Sequence, residues 1–179
     1  MLKLTDADFM RLVSFVKTNY GINLQKKRIL IEGRLTNMLT EKGFTDYKSY
    51  LDHVFSEPTG KEIVALVNKL TTNHTFFLRE PEHFEYLKTV VLPYIEQSVK
   101  DHDMRIWCAA SSTGQEPYTL AMIIDEYFGD RKPLWDSKIL ATDISTDVLN
   151  KAKDGIYTDE MVKDVPERWM KKYFNQIDS

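Results

Sequence analysis

Cysteine occurs once in this sequence, as Cys108, which excludes an internal disulfide framework and any zinc site built from a cysteine cluster. The four histidines, His53, His74, His83 and His102, are scattered without metal-ligand spacing, so solvated or structural roles are expected and no metal. No apolar run approaches the ~20 residues of a membrane span, and the amino terminus lacks a signal-peptide core. A cytoplasmic protein without direct membrane insertion is therefore expected. Positive charge is not in excess either. The formal net charge of -3 and a pI near 5.8 give no electrostatic reason to expect nucleic acid. A glycine-rich phosphate loop is also missing: the turn after residues 106–110 holds one glycine, Gly114, in place of G-x-G-x-x-G.

What is present begins with helical periodicity. Thr5 is a candidate N-cap for a helix bearing Phe9, Leu12, Val13, Val16 and Tyr20 on one stripe and stopped by Gly21. A second helix, from about Gln25 to Lys42, turns Ile31, Leu35, Met38 and Leu39 inward. Thr45 starts a third. Thr59 and Glu62 read as a capping box for a fourth with Ile63, Leu66, Val67 and Leu70. Residues 1–72 thus describe a small all-α domain of four helices. Lys26, Lys27, Arg28 and Arg34 make a basic cluster on the second helix. It is either an ordinary solvated face or a docking stripe for an acidic partner helix, and composition alone leaves both open.

Residues 73–103 read as an interdomain segment and a helix leading into the next domain. Asn73 and Thr75 alternate with His74, so both point one way in an extended segment. Phe76 and Phe77 are expected in the core. Pro81 suits the first position of the following helix, and Pro93 should kink it or split off its last turn. From residue 104 the pattern changes. Ile106–Ala110 is an apolar strand, a small polar turn follows, and Pro117 opens an amphipathic helix with Leu120, Ile123, Ile124 and Tyr127. A second strand spans 138–143, with Asp143 at its carboxyl end. Ser145 or Thr146 caps a further helix. Strand, helix, strand, helix is the βαβα start of a doubly wound α/β sheet, whose ligand site lies at the carboxyl edge. Glu116 follows the turn where a phosphate would want no negative charge, so a ligand with ribose and amino groups suits it better.

Three stretches carry a more specific resemblance: 72–79 (Thr-Asn-His-Thr-Phe-Phe-Leu-Arg), 109–118 (Ala-Ala-Ser-Ser-Thr-Gly-Gln-Glu-Pro-Tyr) and 141–144 (Ala-Thr-Asp-Ile), with 149–157 following. Their order and separation resemble the CheR-type chemoreceptor glutamate methyltransferases over nearly the whole chain. That resemblance implies a helical amino-terminal domain, then a Rossmann-like domain binding S-adenosylmethionine, with S-adenosylhomocysteine as product and no metal. The implied activity forms methyl esters on glutamates of the cytoplasmic helices of chemoreceptors. Carried over residue by residue, the resemblance makes Asn73, Thr75, Arg79, Ala109, Glu116 and Asp143 cofactor contacts. Asp143 would hold the ribose, and Arg79 would be the active-site arginine. It assigns Lys27, Arg28 and Arg34 to receptor docking.

Departures from the family pattern are equally informative. The later strands, a β-subdomain, an Asn-Leu cofactor contact and an Arg-Asn-rich strand end are missing, and Gln115 stands where many members have Glu. The α/β part, residues 104–179, is therefore expected to be incomplete and the chain an inactive fragment, with a non-catalytic module binding receptor helices or another partner as the alternative. Two parallel strands are too few for a stable two-sided sheet. A dimer, a domain swap, or a tail helix at Trp169 covering apolar surface is expected in response.

Overall fold

The computed structural model describes residues 2–177, which divide between Thr72 and Asn73 into two units. In the first, α1 (Asp6–Tyr20), α2 (Arg28–Glu41), α3 (Tyr47–Ser56) and α4 (Lys61–Leu70) enclose a core of Leu12, Val16, Ile31, Leu35, Leu39, Tyr47, Tyr50, Leu51, Val54 and Leu66. Burying each of these leucines, isoleucines or valines contributes roughly 1.5–3 kcal/mol. Thr5 caps α1 by accepting from the Asp8 N–H at 3.1 Å.

Two helix caps differ from expectation. The α3 cap is Asp46, which accepts from the Ser49 N–H at 2.7 Å, because a carboxylate one residue nearer the first turn reaches that donor better than Thr45. The box from Thr59 to Glu62 does not form. Gly60 is the α4 cap, Glu57 takes the Thr59 N–H at 2.7 Å, and Glu62 pairs instead with Lys42 across to α2.

Two of the four residues of the basic cluster, Arg28 and Arg34, are committed within this unit. Helix α2 begins only at Arg28, which places Lys27 in its cap, exposed and outside the helical face. Arg28 donates to the Leu4 carbonyl at 2.8 Å, pairs with Asp6 and lies over the Phe9 ring at 4.5 Å. Arg34 donates to the carbonyls of Leu70 at 2.8 Å and Thr71 at 2.7 Å, and to the Thr72 hydroxyl at 3.0 Å. A guanidinium set on the last carbonyls of a helix is a C-terminal cap that also answers the helix dipole.

In the second unit, residues 73–103 are packed into the core through Phe77, Phe84 and Leu92. Phe76, expected beside its neighbour in the core, is 43% exposed while Phe77 is 2% exposed. The chain turns here, with the Arg79 N–H closing on the Phe76 carbonyl at 3.4 Å, and the turn leaves Phe76 outside while Phe77 enters the core. Pro93 leaves its mark on the next helix. A π-helical turn, Leu87–Val91, separates α5 (Pro81–Tyr86) from α6 (Leu92–Ser98), and Pro93 sits in the first turn of α6, where its missing N–H costs least.

Strand β1 (Ile106–Ala109) pairs in parallel with β2 (Ile139–Thr142), with Ile106 opposite Ile139 and Ala109 opposite Thr142. Between them run α7 (Gln115–Phe128) and a 3-10 turn, and after them α8 (Thr146–Asp154), α9 (Asp159–Val162) and α10 (Glu167–Tyr173). Trp169 of α10 joins Phe77, Met122, Ile124 and Phe128 in the second core. The opposite face of the strands is not covered: Trp107 is 69% and Leu140 62% exposed, and the Trp107 indole N–H lies along the strands to Thr142 Oγ1 at 3.0 Å. The α/β part is thus a two-stranded start of a parallel sheet, incomplete as a Rossmann-like layer.

Candidate functional site

The turn between β1 and α7 is held in an unusual backbone shape. Ala110, Ser112 and Gly114, alternate residues, have φ of 67°, 49° and 96°. For the alanine and the serine this left-handed geometry costs of order 1–3 kcal/mol each, so surrounding bonds must impose it. They do. The Ser111 N–H continues the strand pairing to the Thr142 carbonyl at 2.8 Å, and the Gly114 N–H closes a turn on the Ser111 carbonyl at 3.1 Å. Ser112 does most of the joining: its N–H donates to Asp143 Oδ2 at 2.8 Å, and its hydroxyl to the Asn73 carbonyl at 2.9 Å.

Asp143, immediately after β2, is pinned at both oxygens, since Oδ1 accepts the Ser145 N–H at 2.9 Å. Each oxygen keeps a second lone pair, so the carboxylate is oriented and still able to accept from two hydroxyls. Ala109, exposed at the end of β1, and Ala110 present only methyl groups beside it. Glu116 lies in the first turn of α7, exposed, with Oε1 accepting from the buried Cys108 thiol at 3.2 Å. Burial, together with that neighbouring carboxylate, pushes the Cys108 thiol up to about 12, which keeps it protonated and a donor.

The structure therefore gathers Asn73, Ala109, Glu116 and Asp143 at the carboxyl ends of the two strands. Thr75 lies half-buried two residues beyond Asn73. Arg79 is exposed and folds back to donate to the His74 carbonyl at 2.9 Å, in a turn flanked by Leu78 and Glu80 at φ of 60° and 59°. Sequence reasoning missed Ser112. Nothing in Ser111-Ser112-Thr113 separates one serine from the next, because Ser112 owes its role to partners 39 residues back and 31 ahead.

The chemistry of this edge is selective. The N–H groups of Ser111, Ser112 and Gly114 are spent inside the protein, and Pro117 removes a further donor from the start of α7. Glu116 supplies negative charge in their place, so the field at this turn disfavours a phosphate. Hydroxyls and a cationic group do find partners. Two buried hydroxyls at the same edge, Ser111 Oγ and Ser145 Oγ, have no hydrogen-bond partner among the described residues, which keeps polar capacity in reserve.

Comparison with known proteins agrees with this chemistry. Residues 7–71 match the family model described as CheR methyltransferase, all-alpha domain, and residues 73–179 match CheR methyltransferase, SAM binding domain. The chain is 38% identical over 180 residues to the chemotaxis protein methyltransferase of Borreliella burgdorferi, covering 98% of this chain and 64% of that protein. It is 37% identical to the Escherichia coli chemotaxis protein methyltransferase, over 97% of this chain and 58% of that protein. For the Salmonella typhimurium protein of the same name the identity is 35%, over 97% and 58%. The chain thus spans 58% to 64% of the length of these three curated relatives. With a helical domain and an S-adenosylmethionine-binding domain matched in order, the second carrying the braced turn and strand-end acid, the chain belongs to the CheR methyltransferase family.

Proposed function

We propose that these residues form the receptor-facing domain and part of the cofactor pocket of an S-adenosylmethionine-dependent enzyme that methylates glutamate side chains of chemoreceptors in the cytoplasm. The observation that carries this reading is Asp143, oriented by two backbone N–H groups with lone pairs left for a ribose diol. When bound, the cofactor supplies a methyl group made electrophilic by its sulfonium. The work left to the protein is orientation and exclusion of water. In this reading Asp143 accepts from the ribose hydroxyls, Glu116 answers the cationic end, and Ala109 leaves room where a larger side chain would collide. Asn73 and Thr75 line the pocket from the 73–79 segment. Arg79 offers a two-pronged site for a carboxylate. A glutamate carboxylate is already a nucleophile at neutral pH, so no side chain need act as a general base.

With the Trp107–Leu140 face uncovered, the chain by itself is expected to bind cofactor without turning over. Calorimetry with S-adenosylhomocysteine tests the pocket, and wild-type protein that gives no binding heat would sink this reading. The same uncovered face supports self-association of the isolated chain. Sedimentation equilibrium should find a dimer at micromolar concentration, and a monomer throughout would count against it.

Docking on receptor helices rests on less of the basic cluster than its sequence suggests. Lys27→Glu is expected to weaken association with a receptor methylation helix several-fold, mostly through the on-rate, with the melting temperature unchanged. Arg34→Ala should instead destabilise the helical unit by about 2 kcal/mol, since it uncaps α4. Melting curves and receptor binding measured side by side separate the two. If Lys27→Glu binds receptor like wild type, the docking assignment of Lys27 fails. A non-catalytic module binding a partner helix is the second reading, favoured by Lys27, and absence of cofactor binding with receptor binding retained would select it.

A further inference from the structure

The stretch 149–157, which also resembles the family, ends in a residue that reaches the turn at the strand ends. Helix α8 stops at Gly155, and the chain turns back so that Tyr157 lies beneath residues 113–114. Its hydroxyl donates to the Thr113 carbonyl at 2.7 Å. Its ring meets Phe77 edge-on at 4.9 Å and 77°, and Tyr118 at 6.2 Å and 84°. Tyr118 ties down the other side by donating to the Ala152 carbonyl at 2.8 Å. The fit allows no side chain at Gly114: a Cβ there would lie 2.8 Å from Tyr157 Oη and 3.0 Å from the Ala152 Cβ. Tyr157 therefore touches two of the three segments that carry the candidate cofactor contacts, 73–79 through Phe77 and the turn through Thr113.

The geometry points to Tyr157 as a positioning residue for the cofactor: its bond to the Thr113 carbonyl holds the Ala110–Gly114 turn in the left-handed shape that lets Ser112 orient Asp143. Alternate left-handed residues do not keep that shape unaided. One brace is Ser112 itself, bonded to Asn73 and Asp143, and Tyr157 is the brace from below. Burial raises the phenol far above its ordinary value, so the hydroxyl stays a donor across the physiological range. This inference rests on the reading of the strand-end pocket given above, but its first consequence needs no ligand.

Tyr157→Phe keeps the ring contacts and removes only the hydroxyl. Amide hydrogen exchange on the whole chain should show protection at Ser112 and Gly114 falling by roughly tenfold, the scale of one lost hydrogen bond to a half-buried carbonyl. Protection of the Ile123 and Ile124 amides in α7 should stay as in wild type. S-adenosylhomocysteine affinity should fall by a similar factor, and Tyr157→Trp should not restore it. Unchanged protection at Ser112 and Gly114 overturns the proposal. So does loss of protection throughout the second unit, which would make Tyr157 an ordinary core residue. If wild type fails to bind S-adenosylhomocysteine, the functional reading falls, while the exchange comparison still decides whether Tyr157 braces the turn. If wild type binds and Tyr157→Phe binds equally well, the positioning role falls and the pocket stands.

Discussion

Asp143→Ala is expected to raise the Kd for S-adenosylhomocysteine by roughly a hundredfold or more, leaving no calorimetric signal at ordinary concentrations. Two effects add. The ligand loses an ionised acceptor for two hydroxyls, and hydrogen bonds to charged groups are worth about 1.5–3 kcal/mol each. The turn loses the carboxylate that takes the Ser112 and Ser145 N–H groups, so the left-handed residues at Ala110 and Ser112 are no longer fully imposed. Asp143→Asn separates these effects. Its amide can keep one backbone bond and one acceptor, and should bind with intermediate affinity. An Asp143→Ala chain that binds within about threefold of wild type, a difference under 1 kcal/mol, would remove Asp143 from the site.

The second large effect concerns Arg79. In a full-length member of the family carrying these residues, Arg79→Ala should lower methylation turnover by at least about a hundredfold, and Arg79→Lys should recover only part of it. A guanidinium presents paired donors to a carboxylate, whereas an ammonium offers a point charge. The side chain is exposed and held by one bond to the His74 carbonyl, which leaves its other N–H groups available. Steady-state kinetics also decides which carboxylate it meets. A fall in kcat with the cofactor KM unchanged puts Arg79 at the incoming glutamate, whereas a raised cofactor KM puts it at the methionine end. Unaltered kinetics in Arg79→Ala would take it out of the active site.

Some of this protein is written locally in its sequence. Apolar residues at helical spacing locate α1 to α4, and alternate short runs of strand and helix locate β1, α7, β2 and α8, because each element exposes one face to its own interior. The candidate site was legible from pattern alone only at Asp143, which stands where the second strand stops, whereas Ala109 and Glu116 came with the family resemblance. Pairs of similar residues were not legible. Phe76 and Phe77 look alike in sequence and part ways in the structure, as do Thr45 and Asp46 at the start of α3, because the choice is made by what lies opposite. The basic cluster on α2 illustrates the same limit. Charge and spacing put Arg34 on a surface stripe, and only the packing of α4 against α2 brought carbonyl oxygens within its reach.

Sequence by itself determined the two-part organisation, the α/β pattern of the second part, the lack of a G-x-G-x-x-G loop and the acid at the end of β2. Those features depend on residues near one another along the chain. Tertiary structure alone decided that Ser112 orients Asp143, that Tyr157 supports the turn from 44 residues away, and that Arg34 is a helix cap. Each of these is a hydrogen bond between groups far apart in sequence, and no local propensity encodes such a bond. It exists only after packing has brought donor and acceptor to within about 3 Å of each other.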